Sequence, residues 1–304
     1  MSIVVIVDNG ASLPSAVVKR KDVCVVPLNI ELQDGRKMEL VESNVAGEVP
    51  FSLNIHKPDI LQVRETVLKY INQGDDVLYI TISSKLSKEY EEIEKLRNEL
   101  SSFAFKVVDS LNVGSGLTLL VMLALEKIDE GFGFKQTYNY LEIVKREIKS
   151  TYVIANFPFL YSQDICKDLR YKYLIYKDRY PIMNLLNGDT KVSFNSSKLE
   201  VGYSILEDNI VDNISNTKEN MVIIHYVENR EKAEAIKKSL KRKCSNIDVQ
   251  IIKADSFLNL CLGEEGLSFS IVNKWSYRYS IRFFIVLLLW LIRFSIIGKG
   301  DYNV

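Results

Sequence analysis

Asp75-Asp76-Val77-Leu78-Tyr79-Ile80-Thr81-Ile82-Ser83-Ser84-Lys85-Leu86-Ser87-Lys88-Glu89-Tyr90 is the stretch whose reading decides the fold. Val77 to Ile82 is a short, nearly continuous apolar run, the pattern of a strand buried on both faces. After the serines the pattern becomes helical from Lys88 to Leu100, with Tyr90, Ile93, Leu96 and Leu100 on one side. Ser87 suits the N-cap, where its hydroxyl accepts from an unpaired N–H of the first turn. A strand that ends in hydroxyls at a helix N-terminus is a place to hold an anionic group. In open α/β sheets the ligand crevice also lies at the carboxyl ends of the strands. The same residues equally describe an ordinary capped turn with no ligand.

Upstream, Ile3 to Val7 reads as a buried strand ending at Asp8-Asn9-Gly10, residues suited to a tight turn. Val23 to Ile30 is a second strand, with Pro27 marking an edge or a bulge. Asp34-Gly35 suits a hairpin turn, and residues 36 to 56 read as an irregular polar excursion. The spacing of Ile60, Val63, Val67, Leu68 and Ile71 predicts a helix from Asp59 to Gln73, stopped by Gly74. Downstream, Phe103 to Ser110 is a strand. It leads through Asn112-Val113-Gly114-Ser115-Gly116 into an apolar helix, Leu117 to Ile128. Strands alternating with helices over residues 1 to 150 imply a parallel sheet covered on both faces.

Composition shifts near Thr151. Tyr152 to Phe159 is strand-like, and Arg170 to Lys177 alternates basic and aromatic residues, which reads as a strand with one solvated face. Met221 to Tyr226, Arg230 to Leu240 and Val249 to Lys253 read as strand, helix and strand. The expected organisation is an N-terminal α/β domain over 1–150, a smaller α/β domain over 151–272, and an apolar tail over 273–304.

The composition sets limits on function. Lys+Arg and Asp+Glu are 39 each, so bulk charge predicts no nucleic-acid partner. Cys24, Cys166, Cys244 and Cys261 are dispersed, with no Cys-x-x-Cys, which argues for a reducing compartment and against structural zinc. The opening Met1-Ser2-Ile3-Val4-Val5 lacks a basic n-region and reads as a strand, not a signal peptide. No phosphate loop is present, and no Ser/His/Asp order or carboxylate pair suggests hydrolysis. His225 reads as a core or turn histidine, and Cys261 as a small apolar residue.

Ile82-Ser83-Ser84-x-Leu86-Ser87 followed by Val108-Asp109-Ser110-x-x-x-Gly114-x-Gly116 resembles the DegV family of fatty-acid-binding proteins. Val7-Asp8-Asn9-x-Ala11-x-Leu13-Pro14, Val25-Val26-Pro27-Leu28, Ile223-Ile224-His225 and, weakly, Gly263-x-x-Gly266-Leu267 extend the similarity in order over roughly residues 3 to 272. The resemblance implies a two-lobed, non-catalytic α/β protein that uses no cofactor. It would hold one long-chain fatty acid in a buried tunnel and present its carboxylate to a fatty acid kinase catalytic subunit. It further implies a carboxylate held by the Ser83-Ser84 turn, an upstream threonine, an arginine after a glycine pair, and a late histidine.

The chain departs from that pattern at the anchors. The threonine position falls at Ile55, the glycine–arginine position near Gln163-Asp164-Ile165, and the histidine position at Cys261. Glu264 and Glu265 add negative charge nearby. Losing charge-assisted hydrogen bonds, each worth roughly 1.5–3 kcal/mol, disfavours an acyl phosphate. His56 or Lys57 is a candidate replacement cation, although the simpler reading leaves both in solvent. Two other functions stay open: a degenerate relative acting in regulation or interaction, and a small-molecule enzyme using the same crevice.

Ile281 to Ile297 is apolar all round a helix and spans about 25 Å, just short of a bilayer core. A membrane-contacting helix, a helix packed on protein, and an unnatural C-terminus all fit. The expected location is cytoplasmic, with membrane association through this tail as an alternative.

Overall fold

The computed structural model describes residues 2–32, 34–40, 53–163 and 171–274. In chain order, the first half begins with β1 (Ile3–Asp8), α1 (Ser15–Val18), β2 (Val23–Val26) and β3 (Asn29–Glu31). It continues through β4 (Lys37–Glu39), β5 (Asn54–His56), α2 (Ile60–Asn72) and β6 (Asp76–Thr81). α3 (Glu89–Leu100), β7 (Phe105–Asp109), α4 (Ser115–Asp129) and α5 (Phe134–Val144) complete it. The sheet β2-β1-β6-β7 is parallel throughout, as the strand–helix alternation predicts. Every residue of β1 is buried, because helices cover both faces.

Two elements of this half differ from expectation. The run Val23 to Ile30 is not one strand: it breaks at Pro27, leaving β2 at the edge of the parallel sheet. β3 instead joins β4 and β5 in a separate antiparallel sheet of order β4-β3-β5. Among its described residues, the excursion of residues 36 to 56 therefore contains two short strands, too brief to show a period in sequence.

The second half comprises β8 (Lys149–Val153), α6 (Phe157–Ser162), α7 (Lys172–Tyr176), β9 (Tyr180–Leu186) and β10 (Asp189–Ser196). α8 (Leu199–Asp212), β11 (Glu219–Tyr226), α9 (Arg230–Lys243), β12 (Ile247–Lys253), α10 (Ser256–Leu262) and β13 (Leu267–Lys274) follow. They build a six-stranded mixed sheet, β10-β9-β8-β13-β11-β12. Tyr152 to Phe159 is not a single strand, since β8 ends at Val153 and Pro158 opens the first turn of α6. Lys172 to Tyr176 is helical, so the basic–aromatic alternation there is not a strand pattern.

α4 sits between the two large sheets and contacts β1, β6, β8, β11 and β13. Leu117, Leu119, Leu120, Val121, Leu123 and Ala124 are all fully buried, which explains why this helix is apolar on every side. A hydroxyl seam runs beside it: Ser150 Oγ lies 2.6 Å from Ser270 Oγ and donates to Asn112 Oδ1 at 3.0 Å. Ser115 Oγ lies 2.9 Å from Ser270 Oγ, and the Tyr152 hydroxyl donates to the Val113 carbonyl at 2.9 Å. Among the described residues, no helix is long and apolar enough to cross a membrane. The apolar tail from Ile281 lies outside the described residues.

Candidate functional site

β6 delivers the chain into the Ser83–Ser87 turn. The Ser83 carbonyl accepts from Leu86 N at 2.9 Å and from Ser87 N at 3.0 Å, so Ser83 fixes where Ser87 stands. The Ser83 hydroxyl is fully buried and donates to the Gly188 carbonyl at 2.6 Å. Gly188 sits in the β9–β10 turn at φ +86°, and a Cβ there would lie 2.5 Å from Ser83 Oγ, so the contact requires glycine. Ser84 Oγ donates to Asp109 Oδ2 at 2.6 Å, and Ser84 N donates to Asp109 Oδ1 at 3.1 Å. Ser87 Oγ accepts from Glu89 N at 3.1 Å, which leaves its own proton available. α3 starts at Glu89, so Ser87 caps the helix from one residue before the cap position.

A cavity of about 130 Å³ opens beside this turn. Of the residues expected at the site, Ile55 and Cys261 line it, whereas Ser83 and Ser84 lie behind the wall with their hydroxyls engaged. Of the sequence near the expected arginine, Gln163 lines the cavity. Its Oε1 accepts from Ile55 N at 2.9 Å and its Nε2 donates to the Leu53 carbonyl at 2.8 Å. Asp164 and Ile165 lie outside the described residues.

The lining is sorted by polarity. Tyr152, Ile154, Met183, Phe257, Leu258 and Leu262 form a buried apolar floor, while His56, Lys57, Ser87, Gln163 and Thr190 form a partly exposed polar rim. Lys57 Nζ pairs with Glu92 Oε1 at 2.7 Å, and His56 Nε2 pairs with Glu31 Oε2 at 3.1 Å. An apolar interior with a charged and hydroxylated mouth fits a molecule with one long apolar part and one polar end. Thr190 had no sequence signal, because only the β9–β10 hairpin brings it to the cavity.

Behind the turn lies a group of buried acids that the cavity does not touch. Burial pushes the Asp8 carboxyl up to about 6, although Gly10 N donates to its Oδ1 at 2.6 Å. Burial, then the neighbouring Asp8 charge, holds the Glu89 carboxyl well above its usual range, and Tyr79 donates to its Oε1 at 2.8 Å. Asp8 Oδ2 and Glu89 Oε2 accept from no other group of the described residues, and the two carboxyls face each other, an arrangement that favours holding a proton between them. Burial also pushes Asp255 up to about 7 and the His225 imidazole down to about 3.

These shifts act on stability in opposite senses. The three acids bind protons more tightly folded than unfolded, so their contribution is full below about pH 4 and is lost as pH rises through 6 to 7. His225 is held neutral, and its contribution is lost as pH falls below 6.5 toward 3. Between pH 4.5 and 6 the acids outnumber the imidazole, so the folded chain binds more protons. A higher Tm at pH 5 than at pH 7.5 is therefore expected in scanning calorimetry, and the reverse order would sink this reading of the buried acids.

The fold is a two-lobed α/β one, with a cavity that is apolar within and polar at its mouth. A family model described as uncharacterised protein, DegV family, matches residues 2–162, more than half of the chain. The chain belongs to the DegV family. A DegV domain-containing protein of Clostridium acetobutylicum is 28% identical over 153 residues, covering 48% of this chain and 54% of that protein. The match thus spans about half the length of that curated relative. A DegV lipid-binding protein from Thermotoga maritima superposes with a TM-score of 0.76 at 19% identity, covering 90% of this chain and 99% of the other. The Streptococcus pneumoniae fatty acid kinase B3 protein, loaded with linoleic acid, superposes with a TM-score of 0.75 at 15% identity over 90% of this chain and 100% of the other.

Proposed function

We propose that this protein binds one fatty acid, with the acyl chain on the apolar floor and the carboxylate at the polar rim. The observation that carries this is the polarity gradient of a single cavity: apolar and buried within, hydroxylated and charged at the mouth. Ile55 and Cys261 act as wall, and the Ser83–Ser84 turn acts by presenting Ser87. At about 30 Å³ of liquid volume per water-sized group, the cavity as it stands takes about four such groups, so a long acyl chain requires the wall to give.

The protein works as a carrier and not as a catalyst in this reading. Burial raises the Cys261 thiol, which keeps that lining residue inert as a nucleophile. A kinase partner acting on the presented carboxylate is the finer part of the proposal, supported by the likeness to the pneumococcal fatty acid kinase B3 protein. We further propose that residues 1–150 and 151–272 form the two lobes between which the ligand lies.

Native mass spectrometry of the full chain, followed by denaturing extraction, tests the reading. A one-to-one mass shift that matches a fatty acid is the expected result, and Ser87→Ala should reduce occupancy about tenfold. A bare chain that also refuses added decanoate and palmitate would overturn it.

A further inference from the structure

We propose that Lys57 is the cation that receives the ligand's carboxylate, and that Glu92 is its built-in competitor. Acid binding is then an exchange of carboxylates at Lys57 Nζ. This rests on the reading of the cavity as a fatty-acid site.

Ile55 and His56 end β5 and Lys57 follows directly, and all three line the cavity. The Asn29 side chain donates to the Lys57 carbonyl at 3.2 Å, and Pro58 follows directly, so the backbone is pinned and only the side chain need move. Lys57 Nζ sits 2.7 Å from Glu92 Oε1, with the two side chains 36% and 32% exposed. Glu92 stands in the first turn of α3, just beyond Ser87, and does not line the cavity. A carboxylate arriving at Ser87 therefore meets a helix N-terminus, a free hydroxyl proton and an ammonium already engaged by a neighbouring acid.

His56 is the weaker candidate. Its Glu31 partner is shared with Lys37, 3.4 Å away, and the imidazole is charged only when protonated. Among the described lining residues, Lys57 carries the one ammonium. Glu92 lowers affinity for an acid without touching the acyl chain. A lipid of the same length with an uncharged head should not feel either residue.

The test compares dodecanoate with dodecanol by titration calorimetry on the full chain. Lys57→Met is expected to weaken dodecanoate about ten- to a hundredfold and leave dodecanol unchanged, while Lys57→Arg retains the acid. Glu92→Gln is expected to tighten dodecanoate severalfold, because the competitor is gone. Equal losses for both lipids in Lys57→Met, no loss at all, or weaker dodecanoate binding in Glu92→Gln would each overturn the exchange. Wild-type protein that binds neither lipid would instead overturn the fatty-acid reading, and the exchange with it.

Discussion

Cys261→Phe is expected to lose bound fatty acid about a hundredfold or more while the protein remains folded. Cys261 lies on α10 in the cavity wall, 6% exposed, and the cavity beside it is about 130 Å³. An added phenyl ring occupies space that the ligand would otherwise fill with four or five methylenes. At about 0.8 kcal/mol per buried methylene, losing that space costs roughly 3–4 kcal/mol of binding. Each 1.4 kcal/mol is tenfold, so the loss spans two to three orders of magnitude. Stability should change by less than the 1–3 kcal/mol of overpacking in a filled core, because the ring enters empty space. Retention of fatty acid at the wild-type level by the folded variant would place the acyl chain elsewhere.

The second large effect is on stability. Gly116→Ala puts a methyl group 2.7 Å from Ser150 Oγ and into the Asn112 side chain. Asn112 is nearly fully buried, donates to the Ser110 carbonyl at 3.0 Å and accepts from Ser150. Neither group can move without breaking bonds to its other partners, so the hydroxyl seam beside α4 opens. Overpacking plus a stranded buried polar group costs about 3–5 kcal/mol. A fall in Tm of roughly 5–15 °C is the expected reading by scanning calorimetry. A Tm within 2 °C of wild type would show that the seam carries little of the stability.

The parallel lobe was legible because its buried strands are long apolar runs and its helices have clear faces and stops, as at Asp59 and Gly74. Asp59 does accept from Leu61 N at 2.8 Å, and Gly74 sits at φ +86°. The β9–β10 hairpin was missed because β10 alternates only weakly and its key turn residue, Gly188, is defined by a partner 105 residues away. Lys172 to Tyr176 misled because alternation over five residues fits one turn of helix as well as a strand.

The site shows the same division. Ile55 and Cys261 reached the cavity through the family resemblance, and nothing in their own chemistry announced a lining role. Ser87 was legible as a cap, and its free proton follows from that capping bond. Lys57 reads as solvated from sequence, because its place at the mouth depends on β5 pairing with β3 across 28 residues from Asn29.

The sandwiching of α4 has a further consequence for how the molecule comes apart. The largest core cluster takes Val5 and Ile80 from the parallel sheet, Leu120 from α4, and Met183 and Ile223 from the mixed sheet. Pulling the lobes apart would bare one face of that helix and the facing side of the mixed sheet, so the largest core is shared even though each half also keeps a smaller core of its own. Backbone amides in β1 and β13 should therefore exchange with solvent at a common opening free energy, as one cooperative unit. A ligand that seats between the lobes then protects amides throughout the chain, far from the cavity it fills.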